Sequence, residues 1–176
     1  MNLHVDNQEF DIVQAKKSDV QAVLYLLQQA VIWLQTKGTT QWDYYITDLE
    51  GNSEEVIESI ENGSTYLVYD QGSPVATITL EDRASEWDTE LWGKQVADVG
   101  VVYLHRIVVD RNYEGMKIGE NLIKWAIGFV KDRGKKYIRF DCLASNHGLN
   151  EYYQRHCKQV GIATIYGNHS KYEIRV

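Results

Sequence analysis

The chain of 176 residues is long enough for one domain with a sizeable core and short for two. Its 44% hydrophobic and 24% charged residues lie near the soluble globular average, which excludes disorder, collagen-like repeats and low complexity. With 25 acidic against 18 basic residues, a formal net charge of -7, the surface repels phosphate backbones and anionic headgroups and attracts cations, amines among them. No nucleic acid and no membrane is therefore expected as a partner. Met1 to Phe10 holds Asp6 and Glu9 and no apolar run, so no signal peptide is expected. The apolar stretch Ala22 to Leu27 is too short to cross a bilayer. Cys142 and Cys157 lack metal-type spacing and suggest reduced thiols in a cytoplasmic protein. One proline, Pro74, and the lack of a Ser/Gly-rich linker argue for a single domain over residues 1–176.

Phe10 to Gln14 reads as a short strand. Ser18-Asp19-Val20-Gln21 then carries a capping-box pattern, a hydroxyl ahead of a helix with Gln at the third helical position. Val20, Val23, Leu24, Leu27, Val31 and Leu34 recur at helical spacing and predict a helix to about Lys37, closed by Gly38. A second helix is expected from Asn52 to Ile60. From Thr65 the period changes: Thr65 to Tyr69 and Val75 to Leu80 flank Asp70-Gln71-Gly72-Ser73-Pro74, a hairpin signal. Glu81 to Asp98 reads as polar and irregular, although Trp87 and Trp92 are unusual in a plain loop. Val99 to Val109 predicts the longest strand. Gly115 to Gly134 contains an amphipathic helix on Leu122, Ile123, Ala126, Ile127 and Val130, and Tyr137 to Leu143 is the next strand. A helix from about Leu149 to His156 and strands at Val160 to Tyr166 and Lys171 to Val176 complete the chain. The order β-α-α-β-β-β-α-β-α-β-β implies an α/β fold, a central mixed sheet of about six to seven strands flanked by about four helices.

The stretch richest in chemistry runs strand, short turn, glycine, helix: Ile107-Val108-Val109-Asp110-Arg111-Asn112-Tyr113-Glu114-Gly115-Met116-Lys117-Ile118-Gly119-Glu120. A turn that enters a helix exposes backbone N–H groups with no intrahelical partner, and the positive end of the helix dipole adds to them. Such a turn suits phosphate. Gly115 and Gly119 leave no Cβ between the backbone and an anion. On spacing alone the favoured reading is a helix start whose Gly115 serves only a left-handed turn. Neither the dinucleotide fingerprint G-x-G-x-x-G nor the P-loop pattern is present.

The block Val109 to Leu122 resembles motif A of the GNAT superfamily of N-acetyltransferases, R/Q-x-x-G-x-G/A after the fourth strand. Tyr103-Leu104-His105-Arg106-Ile107-Val108-Val109 resembles that strand. Arg139-Phe140-Asp141-Cys142-Leu143-Ala144-Ser145-Asn146 and Leu149-Asn150-Glu151-Tyr152-Tyr153 resemble the fifth strand and motif B. Trp33-Leu34, Gly38 and Gln41-Trp42 are similar to a bacterial, small-molecule branch. The likeness covers Val99 to Cys157 closely. Three places depart from the pattern: Glu114 where Arg or Gln is usual, Lys117 at the first G, and Cys157-Lys158 where motif B usually ends in Gly-Phe. A carboxylate facing a diphosphate is costly, whereas Lys117 adds a cation.

The resemblance implies an acetyl-CoA-dependent N-acetyltransferase that uses no metal. The backbone of Ile107, Val108 and Val109 would pair with the pantetheine arm like an added strand. Gly115, Met116, Lys117, Ile118, Gly119 and Glu120 would cradle the pyrophosphate. Asn146 would hydrogen-bond the pantetheine, and Tyr153 would sit near the thioester sulfur and protonate the departing thiolate. A primary amine of a small acceptor would attack directly once a base has taken its proton, with N–H donors at the end of the Val109 strand meeting the oxyanion. Members often pair as homodimers. As residues alone, Tyr153 also suits packing of a helix on a sheet, and Asn146 a turn or a cap.

The base is open between His105, of the side-chain type that titrates nearest neutral pH, and Glu81 and Asp82 at the end of the hairpin strand. Rings of Trp33, Trp42, Trp87 and Trp92 would wall an acceptor cleft and suit a cation, while the helical Trp33 suits core packing equally. Arg133 with Gly134-Lys135-Lys136 is a basic cluster at a helix end that would meet a 3′-phosphate or only the dipole. Cys142, in a strand with no base beside it, reads as buried and apolar. His147, His156 and Cys157 lack zinc-site spacing. The competing reading is a non-catalytic module of the same fold that binds acyl-CoA or a protein partner, which Glu114 and Lys117 favour. A hydroxyl acceptor would use the same donor site.

Overall fold

The structure, a computed structural model, describes residues 1–39 and 42–176. Gln41, part of the amino-terminal resemblance, lies outside the described residues. The chain opens with a hairpin of β1 (Asn2–Val5) and β2 (Gln8–Gln14), where only the strand from Phe10 was expected. Four residues are too few for an alternation signal, yet Leu3 and Val5 are both buried. A 3-10 turn at Lys17–Asp19 leads into α1 (Val20–Thr36). Ser18 is not the cap: Asp19 holds the N-cap position of α1 without a side-chain cap bond, and its Oδ2 instead accepts the Lys16 amide at 2.8 Å within the preceding 3-10 turn. The stripe Val23, Leu24, Leu27, Val31 and Leu34 is buried as its spacing predicts.

Two more helices, α2 (Tyr44–Thr47) and α3 (Leu49–Glu61), precede the hairpin of β3 (Thr65–Asp70) and β4 (Ser73–Glu81). Gln71 and Gly72 between them both have positive φ, as a two-residue hairpin turn requires. Glu81 to Asp98 departs most from expectation. It holds α4 (Glu86–Trp92) and a 3-10 turn at Gly93–Ala97. The helix starts on a reciprocal cap in which Ser85 Oγ accepts the Asp88 amide at 3.1 Å and Asp88 Oδ2 accepts the Ser85 amide at 2.9 Å.

Next come β5 (Val101–Val109), a 3-10 turn at Arg111–Tyr113, α5 (Ile118–Asp132) and β6 (Tyr137–Leu143). The chain closes with α6 (His147–His156), β7 (Lys158–Thr164) and β8 (Asn168–Arg175). Among the described residues the eight strands form one mixed sheet in the order β1-β2-β3-β4-β5-β6-β8-β7, with six α-helices, more of each than expected. β5 and β6 run parallel, and their pairing covers Val101 to Tyr103 against Tyr137 to Arg139.

By packing, the chain divides into two compact units, Met1–Leu80 with Arg106–Trp125, and Glu81–His105 with Ala126–Val176. In the first, Leu24, Leu27 and Val31 of α1 pack with Tyr45, Val56, Leu67 and Val108. In the second, Leu91 and Trp92 of α4 pack with Val101 and Tyr103. No described helix is long and apolar enough to cross a membrane.

Candidate active site

In the first unit the segment after β5 is built to present backbone. Asp110 anchors it twice: its amide donates to Val75 O at 2.8 Å, and its Oδ1 accepts the Asn112 amide at 2.8 Å. Tyr113 hydroxyl donates to Asp70 Oδ2 at 2.8 Å, tying the turn to the β3–β4 hairpin. Gly115 and Lys117 both lie in the left-handed region, with φ of 81° and 57°. A Cβ at Gly115 would meet nothing within 4 Å, so the glycine is there for its backbone angle and not for clearance. Helix α5 then begins, and its first internal bond is Asn121 amide to Lys117 O at 3.1 Å. The amides of Lys117, Ile118 and Gly119 have no partner among the described residues. They are aligned with the positive end of a 15-residue helix.

Glu114 does not oppose an anion there. Its carboxylate pairs with Arg111 three residues earlier, and the Arg111 guanidinium lies 4.0 Å over the ring of Trp33. Trp33, half-buried, is thus taken up by a cation of the protein itself, with Lys37 a further 5.5 Å contact. Ile107, Val108 and Val109 form the last part of β5, and Val108 is buried in the core.

Sequence reading passed over Arg106. It has φ of 49° inside β5, which interrupts the strict alternation of side chains along a strand. Its side chain is only 12% exposed, and Nε has no partner among the described residues. Tyr45, fully buried, likewise has a hydroxyl without a hydrogen-bond partner among those residues. Burial raises the Tyr45 pKa, and the nearby Arg106 charge opposes that rise. Trp42 packs edge-on against Tyr45 at 6.4 Å. A charged residue inside the apolar run Tyr103 to Val109 was the signal available for Arg106.

In the second unit Asn146 caps α6, its Oδ1 accepting the Leu149 amide at 3.2 Å. Its side-chain nitrogen has no partner among the described residues. Asn150, not singled out by sequence, staples the helix: Nδ2 donates to Leu143 O and Asn146 O, both at 2.9 Å, and Oδ1 accepts the Tyr172 hydroxyl at 2.7 Å. Tyr153 is buried among the rings of Phe140, Tyr172 and Tyr152 at 4.7, 5.4 and 5.5 Å. Its hydroxyl makes no hydrogen bond among the described residues, and burial holds its pKa above the ordinary tyrosine value. The Cys142 thiol, also buried, is pushed up to about 12 by desolvation, so it stays a neutral apolar residue. Cys157 is extended and enters β7 directly, which removes the need for a glycine at the end of motif B.

His105 Nε2 lies 3.0 Å from Asp88 Oδ2, a carboxylate 1% exposed that also accepts the Ser85 amide and hydroxyl. Trp87 Nε1 donates to Asp141 Oδ1 at 3.1 Å, and His169 Nδ1 lies 3.0 Å from Asp141 Oδ2. Glu81 ends β4, half-buried. Asp82 takes Arg133 at 3.4 Å and Lys135 at 3.3 Å, so the basic cluster is partly neutralised within the unit.

A strand, a turn with two left-handed residues and a helix whose leading amides stay open among the described residues make this an α/β protein with a turn that presents backbone donors. Residues 27–158 match the Acetyltransferase (GNAT) family, and the chain belongs to that family. Over 138 residues it is 30% identical to the N-acetyltransferase YesJ of Bacillus subtilis, covering 78% of this chain and 74% of that protein. A GNAT-family acetyltransferase of Listeria monocytogenes, solved as a crystal structure, matches all of both chains with 27% identity and a TM-score of 0.83. PaiA N-acetyltransferase of Thermoplasma acidophilum, solved in complex with coenzyme A, shares the fold at a TM-score of 0.71 and 15% identity, covering 96% of this chain and 100% of that one.

Proposed function

We propose that this acetyltransferase moves an acetyl group from acetyl-CoA to a primary amine of a small acceptor by direct attack, as one domain. The observation that carries the reading is the turn from Glu114 to Gly119, with its three open amides, two left-handed residues and a glutamate already neutralised by Arg111. These residues fit a pyrophosphate: it would meet backbone donors and the Lys117 cation and no free carboxylate. A fold neighbour solved with coenzyme A supports the same donor. Acetyl-CoA would supply an acyl group activated by a thiolate leaving group.

The protein's own groups then have separate tasks. Gly115 to Glu120 hold the phosphates, and Ile107, Val108 and Val109, which have no β6 partner among the described residues, offer backbone to an extended arm. The free side-chain nitrogen of Asn146 donates to that arm while its oxygen caps α6. Tyr153, kept neutral by burial, donates a hydrogen bond to the sulfur as charge develops on it. His105, fixed by the buried Asp88, is the proposed base for the incoming ammonium, in the manner of a base oriented by a third group. Trp42 walls the acceptor on the Tyr45 side, and Glu81 and Trp87 are the further acceptor contacts proposed.

Calorimetric titration with acetyl-CoA, followed by thiol release across a panel of amines, tests this. Micromolar binding, about -8 kcal/mol at 1 μM, with steady turnover of an amine is the expected result. Binding with no turnover of any amine would overturn transfer to an amine and leave the non-catalytic module or a hydroxyl acceptor, and no binding overturns the donor site.

A further inference from the structure

Among the described residues the first unit holds two buried polar atoms with no hydrogen-bond partner, the Tyr45 hydroxyl and Arg106 Nε. Buried polar groups nearly always find partners, and leaving one open is expensive. The two belong to one cluster, since the Arg106 charge acts on the hydroxyls of both Tyr45 and Tyr44 against the effect of burial. Both open atoms are donors: Nε–H can only donate, and a tyrosine that burial keeps protonated has a proton to give. What they lack is an acceptor, and beside a guanidinium the fitting acceptor is an anion.

Glu55 does not fill that place. Its carboxylate lies 3.7 Å from a terminal nitrogen of Arg106 and is 62% exposed, a loose surface-type pair that leaves Nε bare. Arg106 is also held in the left-handed region inside a strand, directly ahead of Ile107 to Val109. Strain of that kind persists where a side chain must be placed for a purpose. The rings of Trp42 and Tyr44 pack on Tyr45 at 6.4 and 4.6 Å and give the cluster an aromatic wall.

Resting on the acetyltransferase reading, we propose that Arg106 and Tyr45 seat a carboxylate of the acceptor, so that the acceptor is an amino acid or a related amino carboxylic acid. A purely cationic acceptor, which the net charge of the chain alone suggests, would leave both donors open and bring a second positive charge to Arg106.

Matched pairs that differ only by the carboxylate test this: β-alanine with ethylamine, phenylalanine with phenethylamine, lysine with cadaverine. Calorimetry without acetyl-CoA should find an amino acid bound at least about tenfold more tightly than its decarboxylated twin, and Arg106→Gln should weaken that binding about a hundredfold. Tyr45→Phe separates a binding role from a structural one. It should weaken carboxylate binding about tenfold yet leave thermal unfolding unchanged or raised, because the hydroxyl removed had no partner to lose. Equal binding of the twins, full carboxylate binding in both variants, or no amino acid bound below about 1 mM overturns the proposal. Carboxylate binding with no acetyl-CoA binding would sink the acetyltransferase reading and leave this seat standing. Turnover that favours the decarboxylated twins does the reverse.

Discussion

Two arginines interrupt the apolar strands of this molecule and meet opposite treatment. Arg139 of β6 is 3% exposed and saturated: Nε donates to Glu173 at 2.8 Å, one terminal nitrogen to Gln95 O at 2.8 Å, and the other to Asp98 at 2.6 Å. Its guanidinium also lies 4.8 Å over Trp92. Arg106 of β5 is nearly as buried, yet among the described residues its only ion pair is long and its Nε is bare. Burial of a charge therefore does not distinguish structure from function here; saturation does. The same contrast separates the Ser85–Asp88 cap, where each group is answered, from the turn at Glu114 to Gly119, where the amides are left open.

The largest effect expected from that contrast is on stability. Arg139→Met leaves Glu173 half-buried and a carbonyl without its donor, and removing one member of a buried ionic set costs about 3 kcal/mol. For a chain of this size that lowers the melting temperature by about 6–12 °C. Arg106→Gln, with no satisfied network to break, should melt close to the parent protein. Equal losses in thermal unfolding for the two would erase the distinction.

Tyr153 extends the test to chemistry. The residue is buried, and its hydroxyl makes no hydrogen bond among the described residues, so Tyr153→Phe should fold normally and bind acetyl-CoA as before. Thiol release should slow about a hundredfold, the usual scale of one positioned proton donor. An unchanged rate would make the residue a packing tyrosine, and its ring contacts with Phe140 and Tyr172 would be its whole role.

Features with a long local period were legible in the sequence. The stripes of α1 and α5, the β3–β4 hairpin and the spacing of motif positions all repeat within one element, so patterning alone exposes them. What escaped is polar pairing across distance. Trp87 was unusual in an expected loop and Asp88 drew no notice, because their partners, Asp141 and His105, lie 54 and 17 residues away. Arg111 stood three positions before Glu114 in plain view, but only the 3-10 turn makes that spacing a contact. Arg106 was hidden differently, since an unbroken strand over Val99 to Val109 has no place for the left-handed residue that sits there.

The Arg111–Glu114 pair gives a smaller effect and a sharper one. Arg111→Ala frees a carboxylate beside the open amides and should weaken acetyl-CoA binding about fivefold, consistent with an exposed pair worth up to about 1 kcal/mol. Adding Glu114→Gln should restore the affinity, because the penalty belongs to the released charge and not to the lost arginine. Failure of the double variant to recover would assign the effect to Arg111 itself, through its stacking on Trp33.

Lys117 carries the smallest expected change. It occupies the left-handed region at φ of 57°, where the family pattern has glycine, at a cost of about 1 kcal/mol for a residue with a Cβ. Lys117→Gly removes that strain but restores freedom to the unfolded chain by a similar amount, so stability should move by less than about 0.5 kcal/mol. Acetyl-CoA affinity should fall no more than about threefold, the share of one exposed cation among several backbone donors. Lys117→Ala, which loses the cation and keeps the strain, should show the same small drop in calorimetry. A tenfold loss in both variants would mean that the lysine side chain holds the anion, and the open amides of the turn would then no longer distinguish it from the saturated cap at Ser85.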